Sequence, residues 1–250
     1  MIQIKSKEEI QVMEEGAKKL AQILEELRKK VKAGISTGEL DKLAQDLVSK
    51  SGAKPSFKNY NGFPAVLCVS INEEIVHGVP SFERIIQEGD IVSLDLGLFY
   101  KGFHSDMALT LGVGKISFEK QRLIRVTRDA LRMAIRKVKA GNTTGDIGNT
   151  IQRYVESQGF NVVRDLCGHG IGRELHEDPQ ILNYGKRHTG IALKEGMVFC
   201  IEPMVTIGDW HIKRTSDGYG FATRDGSLSA HFEHEVAVTK KGCRVLTKLY

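Results

Sequence analysis

Four carboxylates stand in runs where a charge is costly. Asp95 lies inside IVSLDLGLF (91–99) and Glu202 inside VFCIEPMV (198–205), both otherwise almost wholly apolar. Asp106 is embedded in SDMALTL and Glu233 in HFEHEVAV, segments that also read as strands. An ionised carboxylate in such a setting is unfavourable unless it is paired or bound to a cation. A hairpin turning near Tyr100–Gly102 is expected to set Asp95 and Asp106 opposite each other on antiparallel strands. Like charges so placed repel unless a cation lies between them. A single buried Asp has an ordinary reading as the satisfied partner of a turn or ion pair. Four carboxylates in apolar strands weaken that reading.

A nitrogen donor comes from CGHGIGRELHEDP (167–179), which holds His169 and His176 seven positions apart. A helix would stack the two rings on one face, but Gly168, Gly170 and Gly172 oppose a helix. A regular strand would turn them to opposite faces. The segment is therefore expected to be a glycine-rich bend whose backbone approaches a ligand closely. One imidazole with several carboxylates suits two closely spaced divalent metals. The competing reading is a pair of loop histidines bonded only to backbone.

The elements that must position these groups repeat. KVKAGISTGELDKLAQDLVSKSG (30–52) and KVKAGNTTGDIGNTIQRYVESQG (137–159) share ten of 23 positions at an offset of 107. The same offset lays EGDIVSLD (88–95) on EGMVFCIE (195–202), so Asp95 and Glu202 are equivalent. A two-fold axis would bring them to one central place. Ser6 with Glu9 forms a capping box, and Ile10, Met13, Ala17, Leu20, Leu24 and Leu27 give one apolar stripe. A second helix is expected over about 37–50, and the repeat copies the pair at about 118–139 and 144–157. Strand-like runs cover 65–71, 91–99, 104–112, 197–207 and 230–239. The predicted class is α+β, a curved antiparallel sheet with helices on one side. No Pro/Ser-rich linker divides the chain, so one domain over 1–250 is expected, with halves of roughly 1–115 and 116–250.

At 250 residues with 41% hydrophobic side chains, the chain can bury a full core. MIQIKSKEEI is charged early, and no stretch is apolar enough to span a bilayer, which argues against a secretory or membrane protein. Cys68, Cys167, Cys200 and Cys243 form no Cys-x-x-Cys pair, and free thiols in a reducing cytoplasm fit better than a disulfide framework. The net charge of +5 permits contact with RNA without requiring it.

With Asp95, Asp106, His169, Glu202 and Glu233 so spaced, the sequence resembles the methionine aminopeptidases. SINEEIVHGVP, SLDLG, SDMALT, CGHGIGRELHEDP, CIEPM and SLSAHFEHEVAVT carry the likeness, which runs from about residue 5 to 245. It is closest to the type I form, since no long insertion separates His176 from Glu233. The resemblance implies the pita-bread fold and removal of the initiator methionine from nascent peptides with a small second residue. It implies two divalent ions bridged by Asp106 and Glu233, with Asp95 on one ion and His169 and Glu202 on the other. Manganese, iron, cobalt, zinc and nickel all suit that set. A monovalent cation near Asn72 and Ser229 is implied as well.

His77 and His176 would flank the metals as catalytic groups facing substrate, and Glu202 would carry a proton. Tyr60, Phe63, Cys68, Leu175 and Tyr219 would line the pocket for the methionine side chain. Ordinary core aromatics and a plain buried thiol are the competing readings for Tyr60, Phe63 and Cys68. Leu175 stands where an aromatic is usual, Tyr219 where a tryptophan is, and His231 where a glutamine is. A monomeric cytoplasmic enzyme is expected, without DNA or membrane partners. Alternatives are a prolidase or aminopeptidase P, a non-enzymatic relative, and an RNA binder using Arg125, Arg128, Arg132, Arg136 and Lys139. That basic stripe would dock on the ribosome; a solvated helix face is the plainer reading.

Overall fold

Segments related by the 107-residue offset build the same local structure. The computed structural model describes residues 2–248; Met1, Leu249 and Tyr250, the ends of the predicted domain, lie outside the described residues. Helix α1 spans Lys7–Lys30, α2 Thr37–Lys50, α3 Phe118–Ile135 and α4 Thr144–Ser157. The expected capping box is present: Ser6 Oγ accepts the Glu9 N–H, and the Glu9 carboxylate accepts the Ser6 N–H. Ser36 with Glu39 and Thr143 with Asp146 form two further boxes, one at each start of the repeated helix. The bridges Ser36↔Ile85 and Thr143↔Ala192 keep the same offset. So do the bonds from Thr37 N–H to the Arg84 carbonyl (2.8 Å) and from Thr144 N–H to the Ile191 carbonyl (2.9 Å). Helix α3 ends at Ile135, short of the expected 139. Its last turn tightens as Lys137 and Val138 bond back three residues, ahead of Gly141 at φ 90°.

The first half carries β1 (Lys54–Pro55), β2 (Leu67–Ile71), β3 (Glu74–Val76), β4 (Ile91–Tyr100) and β5 (Phe103–Gly112). The second carries β6 (Asn161–Val162), β7 (Gly168–Gly170), β8 (Glu177–Ile181), β9 (Val198–Ile201) and β10 (Met204–Thr206). Then come β11 (Ile212–Arg214), β12 (Phe221–Thr223), β13 (Ser229–His231), β14 (His234–Thr239) and β15 (Gly242–Val245). One sheet runs β1-β4-β2 with β5 on β4, and a five-stranded one runs β15-β14-β9-β7-β8. Two three-stranded sheets, β13-β10-β6 and β11-β12-β3, complete the set. These pairings are antiparallel.

Two expected strands are broken, and the breaks fall at the site. The 197–207 run divides at Glu202-Pro203, and the 230–239 run at Phe232-Glu233. Pro203 has no N–H to give a ladder. Ile201 pairs with His234 on one side of the break, and Met204 with His231 on the other. The two chains thus leave one sheet for the next at the same level.

Strand β4 is buried from Ile91 to Leu98. Val92, Leu94, Leu96 and Leu98 pack with Leu20, Leu24 and Leu27 of α1 and Leu40 and Ala44 of α2. The alternate face carries Ser93, Asp95 and Gly97 inward. Helix α1 crosses this hairpin closely, since a Cβ on Gly16 would meet the Tyr100 Cβ at 3.3 Å. The second half has its own core of α3, α4 and β9 side chains, including Leu123, Ile147, Ile151 and Phe199.

Candidate metal centre and substrate cavity

The β4–β5 hairpin turns on Lys101 and Gly102, both at positive φ (48° and 90°), as a two-residue primed turn requires. That turn fixes the register, placing Gly97 opposite Asp106 and Asp95 opposite Ala108. The expected face-to-face pairing of the two aspartates is therefore corrected: they are diagonal neighbours on one face. Gly97 gives Asp106 a neighbour without a side chain.

Glu233 joins them from the other half. Its N–H donates to the Ala108 carbonyl at 2.9 Å, fixing it beside β5. Ligand atoms of Asp95, Asp106 and Glu233 lie within 4.8 Å of one another. Those of His169, Cys200 and Glu233 do so too. His169 Nε2 is 3.6 Å from Glu202 Oε1 and 4.0 Å from Asp106 Oδ2. Asn183 Nδ2 donates to the Glu202 carbonyl at 3.0 Å and holds the break in place.

The electrostatics are those of a site built for cations. Asp95, Asp106 and Glu233 are 7%, 4% and 2% exposed. Desolvation raises the Asp95 pKa to about 7. It lifts Asp106, Glu202 and Glu233 well above the carboxylate range, and their mutual repulsion adds to the effect. His169 is pushed down to about 3, first by burial and then by His176. Its Nδ1–H donates to the Gly170 carbonyl at 2.9 Å, which leaves the Nε2 lone pair facing the carboxylates. Asp95 Oδ1, Asp106 Oδ1 and Glu233 Oε1 are enclosed without a hydrogen-bond partner. Orphaned carboxylate oxygens around a neutral imidazole fit divalent cations, whose charge would cancel the repulsion.

The glycine-rich segment is the hairpin β7–β8; Gly168 and Gly170 serve close approach to protein backbone rather than to a ligand, and Gly172 makes room for the Lys5 and Glu177 side chains. A Cβ on Gly168 would lie 2.3 Å from the Cys200 carbonyl oxygen, and one on Gly170 2.2 Å from that of Asp178. The bend between the strands brings the His169 and His176 rings to 4.3 Å, edge to face. The seven-residue spacing is thus resolved by a chain reversal.

A cavity of about 880 Å³ opens beside the carboxylates. His77, His176, Tyr60, Phe63, Cys68, Leu175 and Tyr219 all line it, together with Asp95, Asp106, His169, Glu202 and Glu233. His77 follows β3 at φ 59°, a left-handed conformation that costs energy outside glycine. Its ring opens to the cavity yet is walled by protein, and this desolvation lowers its pKa to about 4. His176 Nδ1 is 2.7 Å from the Tyr60 hydroxyl, and burial lowers its pKa as well. Tyr60 and Phe63 sit on a short loop with Asn59, Asn61 and Gly62 at positive φ. Tyr219 Oη donates to the Gly62 carbonyl at 2.8 Å and meets Phe63 edge to face at 5.7 Å. Leu175 and Cys68 pack with Phe63 in one apolar cluster.

The pattern of metallopeptidase family M24 matches residues 11–240. A methionine aminopeptidase of Clostridium perfringens is 48% identical over 248 residues, covering 99% of both chains. The crystal structure of a methionine aminopeptidase from Thermotoga maritima superposes with a TM-score of 0.98 at 46% identity, covering all of both chains.

The chain belongs to metallopeptidase family M24, with the methionine aminopeptidases. Its fold is the pita-bread fold of that family. A Bacillus anthracis Xaa-Pro dipeptidase also superposes, at a TM-score of 0.79 and 25% identity, but the chain covers only 62% of it. Family membership implies the use of divalent metal. Among the contributors to this M24 site that sequence reasoning missed, three stand out. Cys200 brings its thiol beside His169 and Glu233, Phe221 meets the His77 ring edge to face with ring centres 6.0 Å apart, and Arg214 lines the cavity. Each depends on cross-strand pairings between short strands, and no local pattern announces those.

Proposed function

We propose that this chain is a two-metal hydrolase that removes N-terminal methionine from nascent peptides with a small second residue. The observation that carries the reading is the set of buried, partnerless carboxylate oxygens facing a neutral imidazole inside an M24 cavity. Asp106 and Glu233 would bridge the ions, Asp95 would hold one, and His169 with Glu202 the other. Bound divalent ions supply Lewis acidity, polarising a carbonyl and making water a nucleophile near neutral pH.

The chain's own groups do the rest. Glu202, ionised beside bound cations, takes a proton from the attacking water and passes it to the leaving amine. The Tyr60 hydroxyl lies 2.7 Å from His176 Nδ1; in the tautomer that accepts there, Nε2 carries the hydrogen that stabilises developing negative charge on oxygen. His77 donates to the scissile amide from its fixed backbone conformation. Tyr60, Phe63, Cys68, Leu175 and Tyr219 enclose an unbranched thioether, with the soft sulfur against aromatic and thiol surfaces. Leu175 and Tyr219 shape that pocket and set which second residues enter.

The cluster of Phe63, Cys68, Leu175, Val198 and Cys200 draws from both halves, which supports one catalytic domain over 1–250, halved at about 115. Four free cysteines support a reducing, cytoplasmic setting. Among the described residues no helix is long and apolar enough to cross a membrane. Ser229 N–H donates to the Asn72 carbonyl at 2.9 Å, the neighbourhood proposed for a monovalent cation. Arg125, Arg128, Arg132, Arg136 and Lys139 are exposed along α3 and the turn after it, as both a solvated face and a ribosome-docking stripe require. Release of free methionine from Met-Ala-Ser, under manganese, iron, cobalt, zinc and nickel in turn, tests the reading. Turnover of Met-Ala-Ser with none of Ala-Pro peptides, abolished by Glu202→Gln, is the expected result. The reverse preference identifies a prolidase. Metal binding without turnover of either identifies a non-enzymatic relative.

A further inference from the structure

His231 ends β13, two residues before Glu233, and is 1% exposed. Its backbone is clamped on both sides by one side chain. The His231 N–H donates to Thr110 Oγ1 at 2.9 Å, and the Thr110 hydroxyl lies 2.7 Å from the His231 carbonyl. The imidazole itself has no hydrogen-bond partner at either nitrogen. Enclosing an unpaired donor or acceptor is costly, so a ring held this way calls for a partner within reach.

Two carboxylates of the metal centre are within reach. His231 Nε2 lies 3.9 Å from Glu202 Oε2 and 4.0 Å from Glu233 Oε2. Those separations are too long for hydrogen bonds. They match the 3.6 and 4.0 Å that separate His169 Nε2 from Glu202 and Asp106. The two imidazoles approach the two different oxygens of Glu202. Ligand atoms about 2.1 Å from one ion are about 3.0 Å apart at right angles and about 4.2 Å apart when opposite. Both histidines fall in that range.

We propose that His231 is a sixth protein ligand of the metal centre, giving a second imidazole nitrogen to the ion held by His169 and Glu202. The proposal rests on the metal-centre reading above. Its chemical consequence is a shift in preference: a second imidazole favours zinc, iron and nickel over manganese at that position. A glutamine here would offer only an amide.

The test counts nitrogens directly. Protein labelled with nitrogen-15 at histidine is loaded with manganese(II) alone, at one and two equivalents, and studied by pulsed electron paramagnetic resonance. The expected result is two coordinated histidine nitrogens in the native protein and one in His231→Gln. Calorimetric titration of His231→Gln with manganese should show one binding step weakened about tenfold or more. The native spectrum decides alone, so the test does not depend on how the variant folds. One nitrogen at both loadings overturns the proposal and leaves the centre standing. Failure to bind manganese overturns both.

Discussion

Raising the pH of the metal-stripped protein should unfold it more easily, and the site's titrating groups give the size of the effect. Asp95 titrates near 7 in the folded chain, and Asp106, Glu202 and Glu233 stay well above the ordinary range. A carboxylate raised in this way keeps a proton that the unfolded chain has already lost. Stability therefore falls as pH climbs from about 4 through the folded value. Histidines act in the opposite sense. His77 is lowered to about 4, and His169 and His231 to about 3, so their penalty grows as pH falls below about 6.5. The two sets oppose each other between pH 4 and 6.5, and above that only the carboxylates remain. Asp95, at about 7, removes about 1 kcal/mol between pH 6.5 and 8, at about 1.4 kcal/mol per pH unit of proton difference. That lowers Tm by about 2–4 °C in a chain of this size, and Asp106, Glu202 and Glu233, raised in the same sense, push it the same way. Scanning calorimetry after chelation, with and without added manganese, measures it. The bound ions need ionised carboxylates, so the loaded protein should show no fall. A stripped Tm that is flat or rising from pH 6.5 to 8, with equal metal increments at both ends, would refute the reasoning.

Three substitutions probe other parts of the account. His176→Ala should lower kcat by about 10²- to 10³-fold while bound metal, measured by elemental analysis, stays unchanged; parallel loss of both would make His176 a ligand. Gly168→Ala puts a Cβ 2.3 Å from the Cys200 carbonyl oxygen and should cost about 1–3 kcal/mol in calorimetric stability. An unchanged Tm would show that no close approach exists there. Tyr219→Phe removes the 2.8 Å bond to the Gly62 carbonyl, about 1 kcal/mol, and should raise KM for Met-Ala-Ser about fivefold with kcat nearly constant. A change confined to kcat would place Tyr219 in the chemistry instead.

The elements were legible wherever one segment carries its own signal. The Ser6–Glu9 capping box and 3.6-residue apolar spacing placed the start and face of α1, and the 107-residue repeat carried the reading of α2 onto α4. Asp95 and Asp106 stood out because charge in an apolar strand needs a reason. Their register did not, since it follows from whether the turn holds two residues or three, and positive φ at Lys101 is not written in its side chain. The breaks at Glu202-Pro203 and Phe232-Glu233 were equally hidden. Each strand continues to look like a strand, and only pairing with different partner strands divides it. The meaning of the glycines in the β7–β8 segment was half visible: close approach was foreseen, but its object is the backbone of Cys200 and Asp178. Cys200 and the ring of His231 reach the carboxylates through strand pairings that no periodicity encodes.

The most direct measurement is anomalous diffraction from crystals grown with manganese, read at the manganese edge. Two peaks are predicted, both within coordination distance of Asp106 and Glu233, one also touching Asp95 and the other His169 and Glu202. A map with no peak among these side chains, or with ions bound elsewhere, would contradict the account.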